Sequence, residues 1–168
     1  MENAIPSMIV GAIVLTAIAV LGRGSLQTYE DLGMSLRAME TRLVEKTGTQ
    51  LTVQNTSVDP SGDFVTFDLR NDGQTRIASF DRLDLIVTYY EAPASQVSAW
   101  LPYNSGGPAA NAWTLVSILD DGFEPGILNP GETAQLRLDL NPGIAAGESN
   151  SLVISTELGS TVEAAFTS

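Results

Sequence analysis

Residues Ala4–Gly22, AIPSMIVGAIVLTAIAVLG, pass without one charged side chain. As a helix, roughly 19 such residues reach across the roughly 30 Å hydrocarbon core of a bilayer. A helix that is apolar on every side must be covered on every side, by lipid or by protein. Pro6 falls in the first turn, where its missing N–H costs little. Ile5, Ile9, Val10, Ile13, Val14, Leu15, Ile18 and Leu21 supply the bulk, and are the candidate polymerisation core. Gly11, Ala12, Ala17 and Ala19 lie between them, small residues that let helix backbones approach closely. No Lys or Arg precedes the run, and it exceeds the apolar core of a secretory signal peptide, so it is expected to stay with the chain.

After Arg23 the pattern turns amphipathic. Leu32, Leu36, Met39 and Leu43 form a stripe at i, i+4, i+7 and i+11, with Glu30, Arg37, Glu40 and Lys46 off it. Gly48 is a stop signal just past Lys46. The expectation is one helix of about 40–45 residues, roughly 60–65 Å long. A membrane anchor continued by a helix packed on its own head fits this periodicity, and so does a helix bundle shared between subunits.

From Leu51 the period changes to two. Val65, Phe67 and Leu69 alternate with Phe64, Thr66 and Asp68, and Leu83, Leu85, Val87 and Tyr89 form the next apolar row. Trp113, Leu115 and Val116 mark another strand; Leu136, Leu138 and Leu140 alternate after a long turn; Leu152, Ile154, Val162 and Ala164 close the chain. Asn71-Asp72-Gly73, Gly106-Gly107-Pro108 and the stretch from Asp120 to Glu132 are turn signals. The expected fold class is α+β: a long N-terminal α-helix (1–47) followed by an all-β immunoglobulin-like sandwich head (48–168) of seven or eight strands.

Charge is distributed unevenly along the 168 residues. Arg23, Arg37, Arg42 and Lys46 nearly balance the acids of the first part. From Gly48 onward only Arg70, Arg76, Arg82 and Arg137 stand against fifteen acids, so the head holds nearly all of the net −12. Binding nucleic acid requires neutralising phosphates with Lys and Arg, so that class of partner is excluded. With no Cys and no His, thiol chemistry, disulfides, Cys–His pairs and the usual zinc ligands are absent. The commonest general base is missing too.

Residue clusters that carry chemistry elsewhere have plainer readings here. Asp120-Asp121-Gly122-Phe123-Glu124 gathers three carboxylates but lacks the spacing of an EF-hand loop, and reads as a solvated turn. Asp59-Pro60-Ser61-Gly62-Asp63 reads as a hairpin connection. Asn55-Thr56-Ser57 is the one N-x-S/T sequon, which makes Asn55 a candidate glycosylation site. Trp100, Tyr103 and Trp113 suit a ligand platform, and equally a core cap or a contact with a neighbouring subunit. No nucleophile with a base beside it and no phosphate-cradling loop is present, so no enzyme activity, catalytic residue, cofactor or metal is expected.

An apolar helix, an amphipathic continuation and a β-sandwich head together resemble archaeal flagellins (archaellins) and related archaeal type IV pilin-like proteins. Ala4–Gly22 is similar to the filament-core segment of that superfamily. Phe67-Asp68-Leu69-Arg70-Asn71-Asp72-Gly73 and Gly126-Ile127-Leu128-Asn129-Pro130-Gly131-Glu132 resemble turns found in archaellins and small archaellum accessory proteins. Many pilins have Glu at the fifth mature position; counted from Met1, that position is Ile5, which favours archaellin over pilin. The resemblance implies a precursor with a short basic leader that a dedicated peptidase removes. It also implies membrane insertion before assembly, and then a homo-polymeric, extracellular filament with helices at its centre and heads outside.

The function so implied is that of a structural subunit of an archaellum-like motility filament. The alternatives are an adhesive pilus-like subunit and a membrane-anchored sandwich that serves the motility machinery as an accessory protein.

Overall fold

The computed structural model describes residues 4–91 and 95–168; within the helix it describes the side-chain surroundings of residues 8–16, 18, 29 and 31–48. Backbone of helical geometry (α1) is assigned over Ala4–Gly48. Eight strands follow among the described residues: β1 Leu51–Val58, β2 Phe64–Asn71, β3 Asp84–Glu91, β4 Ser95–Leu101, β5 Ala112–Leu119, β6 Thr133–Asp139, β7 Ser149–Ser155 and β8 Thr161–Thr167. A 3-10 turn, Phe80–Arg82, leads into β3.

The strands form two four-stranded antiparallel sheets, ordered β1-β2-β6-β5 and β4-β3-β7-β8. Alternation decides which way each strand faces. Val65, Phe67 and Leu69 on β2 and Ala134, Leu136 and Leu138 on β6 turn inward from one sheet. Leu85, Val87 and Tyr89 on β3 and Leu152 and Ile154 on β7 turn inward from the other, and all join one core. The strand Ser95–Leu101 belongs to a stretch whose alternation is weak in the sequence; Val97 and Ala99 pack on the core while Trp100 faces solvent.

The expected α+β class, a long helix carried into an immunoglobulin-like sandwich head, is corrected. The helical residues with described surroundings fall into two short stretches, 8–16 and 31–48. By its contacts the chain divides into two compact units, Met1–Leu43 and Val44–Ser168. Within the second unit the two sheets fill their core with their own side chains. The physical reason is the strands' own completeness. Each sheet turns a row of apolar side chains inward and the two rows cover each other, so the β unit closes its core with residues from Leu51 to Phe166.

Inside the second unit, the last helical turn is tied to the sheets. The Gly48 carbonyl accepts from the backbone N–H of Gln74 at 2.7 Å and of Thr75 at 3.2 Å. The Glu45 carbonyl accepts from the hydroxyls of Thr49 (2.7 Å) and Thr75 (3.1 Å). Carbonyls that a helix leaves unpaired at its C-terminus thus find partners in the loop after β2. Gly73 makes the approach possible. A Cβ there would fall on the Gly48 carbonyl and 2.5 Å from the Gln50 nitrogen.

Candidate functional site

The two turn motifs singled out in the sequence meet at Asn71. Its side chain is fully buried at the end of β2. Its Nδ2 donates to the carbonyls of Thr75 at 2.9 Å and Leu128 at 3.1 Å, and its Oδ1 accepts from Gly73 N–H at 3.1 Å. That last bond is the Asx-turn that Asn favours. Asn71 also uses its backbone: its N–H donates to the Glu132 carbonyl at 3.0 Å, and its carbonyl accepts from Gly131 N–H at 2.7 Å.

The opposing loop is shaped to receive it. Asn129-Pro130-Gly131-Glu132 closes with Glu132 N–H on the Asn129 carbonyl at 3.1 Å, and Gly131 has φ +86. Pro first and a left-handed Gly second is the arrangement of a type II turn. The Glu132 carboxylate returns to Asn129 N–H at 2.8 Å, and Asn129 Nδ2 reaches the Phe123 carbonyl at 2.6 Å. Ile77 and Leu128 add a two-way backbone bridge beside it. Asp72, one residue on, accepts from Thr52 and from Arg70. These bonds hold its carboxyl below the ordinary carboxylate range, the Thr52 bond having the largest effect.

Next to this junction lies a groove of about 160 Å³, lined in part by Thr49, Thr75, Arg76, Ile77, Arg82 and Glu157. Its arginines are already paired, Arg76 with Glu124 and Arg82 with Glu157, both at 2.8 Å. The Glu157 hydrogen bond pushes the Arg82 pKa up further. The space is small beside an ordinary small-molecule site of about 300–1,000 Å³.

The candidate polymerisation residues Ile9, Val10, Ile13, Val14, Leu15 and Ile18 are all exposed, as are Leu32, Leu36, Met39 and Leu43 on the later stripe. The surroundings of Ile5 and Leu21 lie outside the described residues. Among the described residues no helix is long and apolar enough to cross a membrane.

Asn55 sits on a bulge of β1, where register slips between Gln54 and Ser57. It is exposed, has φ +51, and its Nδ2 donates to Asp68 at 2.7 Å. Two of the three carboxylates of residues 120–124 are engaged separately. Glu124 pairs with Arg76, and Asp121 accepts from Gly126 N–H at 3.0 Å. No cluster of three metal-ligating side chains occurs among the described residues. The aromatic trio separates as well. Tyr103 and Trp113 pack with tilted rings, centroids 4.7 Å apart and Trp113 in the core, whereas exposed Trp100 donates to Asp84 at 3.0 Å. Burial, and then Asp81, push the Tyr103 pKa up.

No protein-family model matches the chain, and no curated protein sequence matches it. Solved structures do. The archaellum periplasmic stator protein FlaG from Sulfolobus acidocaldarius superposes with a TM-score of 0.53 at 22% identity, over 70% of this chain and 99% of that one. The FlaF and FlaG stator complex from the same organism gives 0.53 at 23%, over 70% and 89%. The archaeal flagellum of Methanospirillum hungatei strain JF1 gives 0.64 at 15%, over 99% and 93%. The fold is one that archaellum proteins have. A match over 99% of the chain has to include helical residues, whereas the stator matches leave 30% of the chain aside.

Proposed function

We propose that this chain is a structural component of an archaellum-type motility machine, of the accessory, stator-like kind. Its apolar N-terminal segment holds it at the cell envelope, and its β unit stands on the outer side as a binding head. The observation that carries this reading is the likeness of the fold to FlaG over 99% of that protein's length. The excess of acids from Gly48 onward and a sequence without Cys or His suit a part whose work is holding. The exposed Ile9, Val10, Ile13, Val14, Leu15 and Ile18 require a cover, which in this reading is lipid or a neighbouring envelope protein.

A second reading, the filament subunit that polymerises through these same residues, draws on the match to the Methanospirillum filament over 99% of the chain. An adhesive pilus subunit is the third. Shearing filaments from cells and locating the chain separates them. An accessory component stays with the envelope fraction, and its deletion abolishes swimming. Recovery of the chain as the main subunit of the sheared shaft overturns the accessory reading in favour of the filament. Lost attachment with unchanged swimming points to adhesion.

A further inference from the structure

The two sheets treat their edges differently. In the β1-β2-β6-β5 sheet both edge strands are interrupted, β1 between Gln54 and Ser57 and β5 between Leu115 and Ser117. Such bulges twist an edge away and hinder the addition of a further strand. In the other sheet β4 pairs with β3 in unbroken register from Leu85↔Leu101 to Glu91↔Ser95. The opposite edge, β8, carries Glu163 and lies against β1. That leaves β4: Ser-Gln-Val-Ser-Ala-Trp-Leu, with no charge, no proline and no bulge.

The outward faces differ in the same sense. Asp68, Arg70, Arg137 and Asp139 face outward on β2 and β6. On the β4-β3-β7-β8 sheet a row runs Trp100, Ile86, Val153, with Trp100 58% and Ile86 43% exposed. Among the strand residues of that outward face, Asp84 and Glu163 are the charges, and Asp84 is capped by Trp100 Nε1.

We infer that the free edge of β4 pairs with β4 of a second copy of this chain, joining two sheets into one continuous antiparallel sheet. Charge selects the occupant. From Gly48 onward the chain has fifteen acids and four arginines, so a basic partner gains most on the acidic surfaces and least at a neutral edge. Two copies repel each other except where neither brings a charge, and β4 is such a place. The strand is also self-complementary. Antiparallel pairing centred on Ser98 sets Ser98 against itself, Gln96 against Trp100, and Val97 against Ala99. Val97 and Ala99 already pack on the core, so their row extends that core across the junction.

The natural chain has no cysteine, so one introduced thiol reports one contact. Antiparallel neighbours stand about 4.5–5.5 Å apart at Cα, within the reach of a disulfide. Under mild oxidation of the full chain in detergent, Ser98→Cys is expected to give about tenfold more covalent dimer than Ser57→Cys on the bulged β1 edge. Adding Gln96→Glu and Trp100→Glu to the Ser98→Cys chain opposes like charges across the pair. It returns the dimer to the Ser57→Cys level with an unchanged far-UV circular dichroism spectrum. Equal cross-linking at Ser98 and Ser57, none at Ser98, or a cross-link indifferent to the two glutamates overturns the inference.

Discussion

The Asn71 side chain donates to the Leu128 carbonyl across 57 residues of sequence, at 3.1 Å and out of contact with water. One amide thereby joins the end of β2 to the loop before β6. Replacing Asn71 with Leu removes that donor, the one to the part-buried Thr75 carbonyl and the acceptor of Gly73 N–H, while the Leu128 carbonyl keeps the Ile77 N–H. The expected cost is about 2–4 kcal/mol of stability. Denaturant unfolding followed by the emission of buried Trp113 measures it.

Gly73 and Gly48 face each other but are not equivalent. An added Cβ at Gly73 meets backbone atoms of Gly48 and Gln50, which have no rotamer to escape into. At Gly48 it meets the Thr75 hydroxyl at 2.9 Å, the end of a side chain that can turn. Gly73→Ala should destabilise the β unit by about 2 kcal/mol or more, and Gly48→Ala by clearly less. The same unfolding experiment ranks them.

Asp72 gives the β unit an acid-sensitive joint. Its folded pKa lies below its unfolded one, so its stabilising effect is present above the unfolded value. That effect is lost as pH falls through the folded value, in a window below about pH 4. Asp72→Asn should flatten the acid limb of stability against pH and leave the neutral region's slope unchanged. Thermal melts between about pH 2 and pH 6 test this.

Val14 is half exposed in a stretch that carries no charge from Ala4 to Gly22. A charge placed at its position costs about 2.5–3.5 kcal/mol if lipid covers it, and a comparable amount in a dry helix bundle. Val14→Asp should therefore shift the chain out of the envelope fraction, or out of filaments, without changing the unfolding of the β unit. Fractionation of cells carrying the variant provides the readout.

Asn55 is exposed on a bulged edge, within reach of an enzyme that modifies folded or folding chains. If the sequon is used, chain from its native source is heavier than its Asn55→Gln variant by the mass of a glycan. Equal masses for the two proteins, after allowing for the substitution, refute a glycan at this residue.

Much of the β unit is written in its alternation. Val65-Phe67-Leu69 and Leu136-Leu138-Leu140 each bury one face, and period two is a local property that a short window reveals. The strand Ser95–Leu101 hides because inward Val97 and Ala99 alternate with two serines and a glutamine, and its largest side chain, Trp100, points outward beside the buried Leu101. The two turn motifs are legible as turns, but their meeting is not, since Asn71 finds its partners among backbone carbonyls that no residue type announces. The fold class misleads for a related reason. Helical period tells that helix forms between Ala4 and Gly48 but not how far it runs as one element, and the helical residues with described surroundings fall into 8–16 and 31–48. The charge-free edge of β4 was present in the letters all along, yet it becomes an edge only once the strand order is known.

The tie between Glu45, Gly48 and the loop Gly73–Thr75 also sets a load path. A pull arriving at Val44 does not enter the β unit through the peptide link to β1 alone. It divides, one share passing along β1 and the other through the bonds from Gln74 and Thr75 into the end of β2, where Asn71 hands it on to the Leu128–Glu132 loop and β6. Three strands' ends then resist together instead of one edge strand peeling first.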